Sequence, residues 1–436
     1  MIDTAITTIT AWEGLDSRGK PTVGCEVQLS GGGRGHAYVP SGASTGRHEA
    51  RELRDGDSRY DGQGVQQAAI NARTVLAEAV HGLDALDGKT VDEALRAADG
   101  TPDLGRLGAN AVLAVSVAAA LAAADAQRVP HYQSVAAGAD PLLPLPMVNI
   151  ISGGAHAGRS IDVQDFLAVP VGAGTFSEAI DYTARVRRGT AEVLREMGHA
   201  IALVADEGGL GPVLPTNRAA LDMVVAGIER AGLRPGTDVG IAVDVAATQF
   251  LSSDGRYVLA AEGDRRLNAE GLIDELVQWC AHYPIVSIED ALGEDDWEGW
   301  VEATARLGDR QLLGDDFFVT DAERLGRGIK VRAANAVLVK PNQTGTLSDA
   351  LAVIRLAQEN GYRTVLSARS GETEDSWLAD LALGWRTGQI KVGSTMRSER
   401  TAKWNRLLQI ESQLGGTVEY AGASALSCPT IDGVPA

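Results

Sequence analysis

The chain has 436 residues, of which 44% are hydrophobic and 22% charged, and it carries a formal net charge of -19. This length allows two or three domains with a large core, while the acidity argues against nucleic acid or an anionic membrane as the main partner. The three cysteines, Cys25, Cys280 and Cys428, stand far apart without CxxC spacing, which disfavours a thiolate metal site or a disulfide framework and suits a reducing compartment.

In chain order, the opening segment MIDTAITTITAWEG has no basic stretch followed by an apolar run, so no targeting peptide is expected and the protein is expected in the cytoplasm. Around clusters of glycine, Thr22 to Leu29 reads as a strand, Ser30 to Gly35 as its turn and His36 to Val39 as the returning strand. Helical spacing follows over about Gln63 to Val80, Val91 to Ala98 and Ala109 to Ala126. The last of these is punctuated by Asn110, Ser116 and Asp125, which argues against a membrane span. Residues 1–138 are therefore expected to form an α+β unit, and the Gly138–Pro141 region with prolines at 144 and 146 marks the start of a second domain, 139–436.

From there short apolar segments alternate with amphipathic helices, the pattern of an α/β fold with parallel strands. The expected strands are Ile201 to Val204, Gly240 to Val243, Ile285 to Ile288, Gln311 to Leu313, Ala336 to Val339, Thr364 to Leu366 and Gln389 to Lys391. So many βα units fit a closed barrel better than an open sheet. Neither GxGxxG nor GxxxxGK[ST] occurs, so nucleotide binding by those devices is not supported.

Polar residues fall at one place in this pattern. Asp206-Glu207, Asp244, Glu289-Asp290, Asp315-Asp316, Lys340, Arg369-Ser370 and Lys391 each end an expected strand. In a β/α barrel those ends converge on one mouth, where active sites are built. A single such residue is ordinarily a helix cap, but seven successive strand ends are hard to explain by capping. Asp244, Glu289 and Asp315 offer hard oxygen ligands, which favours Mg²⁺ or Mn²⁺ over Zn²⁺. Lys340 and Lys391 share the mouth, and a lysine beside a divalent cation and another ammonium would have a lowered pKa, as a neutral base requires. Arg369 and Ser370 suit a phosphate or carboxylate. The small-residue loop Ser41 to Gly46 could close over an anion and its metal, and His156 stands exposed among the glycines of GGAHAG.

The stretches DSRGKPTV, VPSGASTGRHEARELRDGD, GGAHAG, DEGG, DVAAT, SIED, GDD, KPNQTGTL, RSGETED and TGQIK give the chain a close resemblance to the enolases over nearly its whole length. The resemblance implies an enolase-type β/α barrel with an N-terminal α+β capping domain, usually assembled as a homo-oligomer, dimer or octamer. It implies a small phosphorylated or phosphinylated carboxylate as substrate and a pair of Mg²⁺ ions. By position, Asp244, Glu289 and Asp315 would hold the first ion and Ser44 would reach the second. Lys340 would be the base, Lys391 the contact to the substrate carboxylate, and Arg369 with Ser370 the phosphate clamp. His156 would approach the phosphate, Glu207 would help the departing hydroxyl leave, and Asp165 would stand beside them. Gln164 and Ser41 would complete the substrate-binding set.

Some positions depart from the enolase pattern. Ala368 replaces a histidine before the clamp arginine, and Asp165 replaces a glutamate. Ala291 and Met396 are also unusual, and Trp12, Gly24 and Gln409 stand where charged residues pair across the enolase dimer. Losing an imidazole and a methylene opens volume on the leaving-group side. The chain therefore resembles, in the second place, the enolase paralogues of phosphonate and phosphinate pathways, such as carboxyphosphonoenolpyruvate synthase. A non-catalytic enolase-like binding protein is disfavoured by the intact carboxylates and lysines, a costly constellation without a reaction to serve.

Overall fold

The computed structural model describes residues 3–43, 46–136 and 138–427. The N-terminal part is an antiparallel sheet of β1 (Ile6–Leu15), β2 (Pro21–Leu29) and β3 (Arg34–Tyr38) backed by helices. The hairpin read from the sequence is present, but β1 was not foreseen; its inner residues Ile6, Ile9 and Ala11 alternate with polar ones only loosely. Among the helices are α1 (Gly88–Asp99) and α2 (Ala109–Gln127). The alanines of α2 let the sheet come close: a Cβ added at Gly35 would lie 2.0 Å from the Ala118 carbonyl oxygen. This helix is apolar and long enough to cross a membrane, yet 83% of its most apolar window is buried inside the protein.

The unusual pair Trp12 and Gly24 has a local reason. The two are register partners in β1 and β2, and a Cβ at Gly24 would come within 2.6 Å of the Trp12 indole. The indole stacks on His36 at 5.4 Å and donates from Nε1 to the Tyr38 hydroxyl at 3.0 Å. Without a side chain at 24, the aromatic group lies flat across the strand; a glutamate there would displace it. Gln409 is exposed and accepts from Arg406 at 3.1 Å.

Eight strands close a barrel in sequence order: β4 (Leu145–Ser152), β5 (Asp165–Val169), β6 (Gly240–Asp244), β7 (Ile285–Glu289), β8 (Gln311–Gly314), β9 (Ala336–Val339), β10 (Arg363–Ser367) and β11 (Gly388–Gly393). From β6 to β11, and from β11 back to β4, neighbours run parallel. Strand β5 runs against both of its neighbours. Six of the seven expected barrel strands are found. The expected strand Ile201 to Val204 is not a strand, apart from an isolated bridge at Val204; its residues lie in a loop where Leu203 is 81% exposed. Its place in the barrel is taken by β4 and β5, the first of which carries Pro146 and had been read as a linker. The outer layer includes α3 (Phe176–Glu196), α4 (Asn217–Arg230), α5 (Ala269–His282), α6 (Trp297–Leu307), α7 (Ala322–Val331), α8 (Leu347–Glu359), α9 (Trp377–Gly384) and α10 (Ser398–Leu414).

One buried group away from the mouth makes stability depend on pH. Both ring nitrogens of His131 are buried without a hydrogen-bond partner. Burial holds its pKa down at about 4, with Asp380 opposing and Arg406 assisting. The unfolded chain takes up a proton near the ordinary value of 6.5 that the folded chain refuses until about 4. Stability is therefore flat in this term above that range and falls as the pH drops through it, by roughly 3 kcal/mol in all. Thermal unfolding of His131→Leu should lose most of this acid sensitivity. An unchanged slope between pH 6.5 and 4 would assign the sensitivity elsewhere.

Candidate active site

The barrel mouth collects residues because seven parallel strands end there and β5 begins there. Register alignment puts Asp165, Asp244 and Glu289 on one level across β5, β6 and β7. The reversed direction of β5 therefore delivers its first residue to the same mouth that receives the last residues of its parallel neighbours. Asp315 and Lys340 follow β8 and β9 directly, and Lys391 lies within β11 opposite Ser367.

A small cavity of about 20 Å³ at this mouth is lined by His156, Gln164, Glu207, Asp244, Asp315, Lys340, Ser367, Ala368, Arg369, Ser370 and Lys391. Nine of these were expected as site residues, and Ala368 as a departure. The structure thus brings together residues spread over more than two hundred positions of chain.

The two lysines are bound to the carboxylates. Lys391 donates to Asp244 Oδ2 at 2.7 Å and to both oxygens of Glu289 at 2.8 and 2.7 Å. Lys340 donates to Asp315 Oδ2, whose other oxygen accepts from Gln343 at 3.0 Å. All three carboxylates are at least nine-tenths buried. Burial pushes Glu289 well above the usual carboxylate range, helped by Asp244 and opposed by Lys391. Burial disfavours the Lys340 ammonium, but Asp315 outweighs it and the group titrates above its ordinary value. With Asp315 as counter-ion, Lys340 is held protonated. Lys391 is likewise held well above its ordinary value, burial being overcome by Asp244 and Glu289.

The donor set fits a hard divalent cation, since each buried carboxylate already requires a positive partner and no thiolate or imidazole stands among them. Two other groups come closer together, with ligand atoms within 4.8 Å: His156, Asp165 and Glu207, and Asp290, Asp315 and Asp316. Asp290 was noted in the sequence only as a neighbour of Glu289. It sits at φ +43° and accepts from the backbone N–H of Asp315 at 3.0 Å and of Asp316 at 2.8 Å. It therefore shapes the turn that presents Asp315.

On the other wall, His156 Nδ1 lies 2.8 Å from Asp165 Oδ2, and its Nε2 lies 3.9 Å from Glu207 Oε1. Ser152 donates to the other Asp165 oxygen at 2.6 Å, and Asn149 donates to Glu207 at 3.1 Å. Burial alone would strip the imidazole of its proton, but Asp165 and Glu207 hold His156 protonated up to about pH 9. Burial raises Glu207, yet His156, Arg400 and Lys391 outweigh it and keep that carboxylate below its ordinary range. The mobile proton of this wall therefore rests on His156, with Glu207 ionised. Glu207 does not end a strand, as had been expected, but rides on a loop whose Gly208 lies at φ +84°, where a Cβ would meet the Met396 carbonyl oxygen at 2.6 Å. The side chain of Met396 is 44% exposed and nothing in the structure explains it; Ala291 is fully buried in the core.

Asp165 is withdrawn onto Ser152 and His156, and Ala368, 5% exposed, faces the cavity. Gln164 donates to Asp244 Oδ2 at 3.0 Å. Arg369 is buried and pairs with Glu49 and Asn342; the Ser370 hydroxyl accepts from the Ala43 N–H at 2.6 Å. Arg400, fully buried, donates to the carbonyl oxygens of Arg369 and Val392 at 2.6 and 2.9 Å and so fixes the backbone below the clamp. Ser41 does not line the cavity. Its backbone pairs with Gly371, and its hydroxyl is engaged by Glu52 and Arg54 at 3.2 and 3.0 Å. Ser44 lies outside the described residues. The supports Asn342 and Gln343 sit in the KPNQ stretch beside Lys340, where their polarity was the available signal; Glu49 and Arg400 gave none.

Comparison with known families matches residues 6–135 to the family described as "Enolase, N-terminal domain" and residues 140–428 to the family described as "Enolase, C-terminal TIM barrel domain".

Proposed function

The chain belongs to the enolase family, and from that membership we propose that it is a Mg²⁺-dependent lyase. In this reading it forms an enolpyruvate ester by removing the proton beside a carboxylate and expelling a group from the next carbon. Its substrate is 2-phosphoglycerate or a close analogue. The observation that carries this reading is one cavity with Lys340, Asp315, Asp244 and Lys391 on one wall, Lys391 being bound also to Glu289, and the protonated His156 beside Glu207 on the other.

A C–H beside a carboxylate is a very weak acid because its carbanion adds charge to an anion. A divalent cation on Asp244, Glu289 and Asp315 would supply positive charge at that carboxylate and take from Lys340 the counter-ion, Asp315, that keeps it protonated. Lys391 contributes a fixed ammonium to the same carboxylate. Lys340, once neutral, accepts the proton on its Nζ lone pair. The electron pair left behind forms the double bond, and the leaving group departs with a proton supplied from the His156 side. Arg369 and Ser370 hold the phosphoryl end.

A second reading within the same chemistry is a carboxyphosphonoenolpyruvate synthase, and it is favoured by the small side chain of Ala368 at the cavity and by the short Asp165 side chain held on Ser152 and His156. Both positions enlarge the leaving-group side and leave the lysines and carboxylates alone. Turnover of 2-phosphoglycerate at an ordinary enolase rate would exclude this specialised reading. Ala368→His combined with Asp165→Glu should move the ratio of kcat/KM toward 2-phosphoglycerate, and away from a substrate with a carbon-bearing phosphorus group, by roughly tenfold or more. If the ratio stays put, these two positions do not set specificity.

A further inference from the structure

Glu49, which follows the small-residue loop in the chain, joins three parts of the mouth. Its two oxygens accept from Arg369, Nη1 to Oε2 at 2.9 Å and Nη2 to Oε1 at 3.1 Å, a fork-to-fork pair. Oε1 also accepts from the backbone N–H of Gly46 at 2.8 Å and from Gln343 Nε2 at 3.4 Å. The same Gln343 amide donates to Asp315, and the Gln343 carbonyl oxygen accepts from the Ala50 N–H at 2.8 Å. Asn342 holds the Arg369 Nη1 from the other side at 3.0 Å. The side chains of Arg369 and Glu49 are only 2% and 7% exposed.

A long arginine side chain has many rotamers, and a buried bidentate carboxylate selects one of them. Because Glu49 belongs to the N-terminal segment while Arg369 follows a barrel strand, the pair ties residues 46–50 to the clamp. We propose that Glu49 is a positioning residue: it aims the Arg369 guanidinium into the cavity and makes the seating of the 46–50 segment depend on the group that takes the substrate's anion. This rests on the reading of Arg369 as the anion clamp.

The test uses the full-length protein with Mg²⁺ and inorganic phosphate as probe. Binding is measured by calorimetry for the wild type, Glu49→Gln, Glu49→Asp and Arg369→Gln, with trypsin cleavage after Arg47, whose side chain is 66% exposed, as a second readout. Simple electrostatics makes Glu49→Gln a better anion binder, since a negative charge beside the arginine is removed. Positioning gives the opposite sign: phosphate affinity falls by roughly tenfold, a typical loss when a charged bidentate contact is broken. Glu49→Asp, which keeps the charge and loses the reach, weakens binding in the same direction. Cleavage after Arg47 speeds up in Glu49→Gln and in Arg369→Gln alike. Glu49→Gln binding phosphate as well as or better than the wild type overturns the proposal. Arg369→Gln binding phosphate as well as the wild type overturns the clamp reading instead, and the tie itself is then judged by the cleavage rates: no change in either variant disproves it.

Discussion

Replacement of Lys340 by alanine should lower kcat by roughly two to four orders of magnitude, the range associated with loss of a positioned general base, while leaving the fold intact. The side chain sits at the cavity on one partner, Asp315, and no second lysine has the same partner: Lys391 is committed to Asp244 and Glu289. The decisive readout is exchange of the proton beside the substrate carboxylate with solvent deuterium. A base variant loses exchange and turnover together, whereas a variant impaired only in expelling the leaving group keeps exchanging. Preserved exchange in Lys340→Ala would assign the base elsewhere. The pH profile carries a further sign. Asp315 stabilises the ammonium of Lys340, so a neutral base is reached only at high pH unless the carboxylate's charge is taken up. Raising Mg²⁺ should therefore shift the midpoint of the ascending limb, the pH at which the lysine loses its proton, downward.

Lys391→Met should be the most destabilising single change at the mouth when Mg²⁺ is absent, by roughly 3–5 kcal/mol, because removing one member of a buried ion pair strands the other. Here one ammonium serves two carboxylates, Asp244 and Glu289, each 2% exposed. In the variant the ammonium that opposes the rise of Glu289 is gone, so its folded-state pKa stands still further above that of the unfolded chain. An acid whose pKa is raised by folding binds more protons folded than unfolded, so the variant's stability should recover as the pH is lowered from 8 toward 5. Mg²⁺ should raise the variant's unfolding temperature more than that of the wild type, because it replaces the missing charge. Equal Mg²⁺ responses in the two proteins would mean that Asp244 and Glu289 do not form the cation site.

Much of the barrel was legible because buried parallel strands read as short apolar runs, and each such run from Gly240 onward ends in a residue of distinctive charge. The same logic failed at Ile201 to Val204, an apolar run followed by Asp206 and Glu207 that is a loop. Periodicity cannot separate a strand from an apolar loop of the same length, and Glu207 reaches the mouth through the turn at Gly208. Strand β4 was obscured by Pro146, and β5 carries its charged residue, Asp165, at its start and not at its end.

The titration of the site was the least legible part. The sequence shows which charges end the strands but not that Asp315 is the direct partner of Lys340, an opposite charge at short range that raises the lysine's pKa. Nor did the sequence show that His156 stands between the carboxylates of Asp165 and Glu207, which raise its pKa to about 9. The sequence also did not show that the Ser41 backbone pairs with Gly371 and so fastens the N-terminal part to the barrel.

By itself the sequence determined the enolase family, the order of the barrel strands from Gly240 on and the residue types at their ends, because these depend on local apolar runs and on motifs read along the chain. Only the tertiary structure decided that β5 runs backwards and so brings Asp165 level with Asp244, that both lysines sit on carboxylates, and that Glu49 grips Arg369 across the two parts of the chain. Those facts depend on strand direction and on contacts between residues far apart in sequence, and on charge interactions that change steeply with distance and burial.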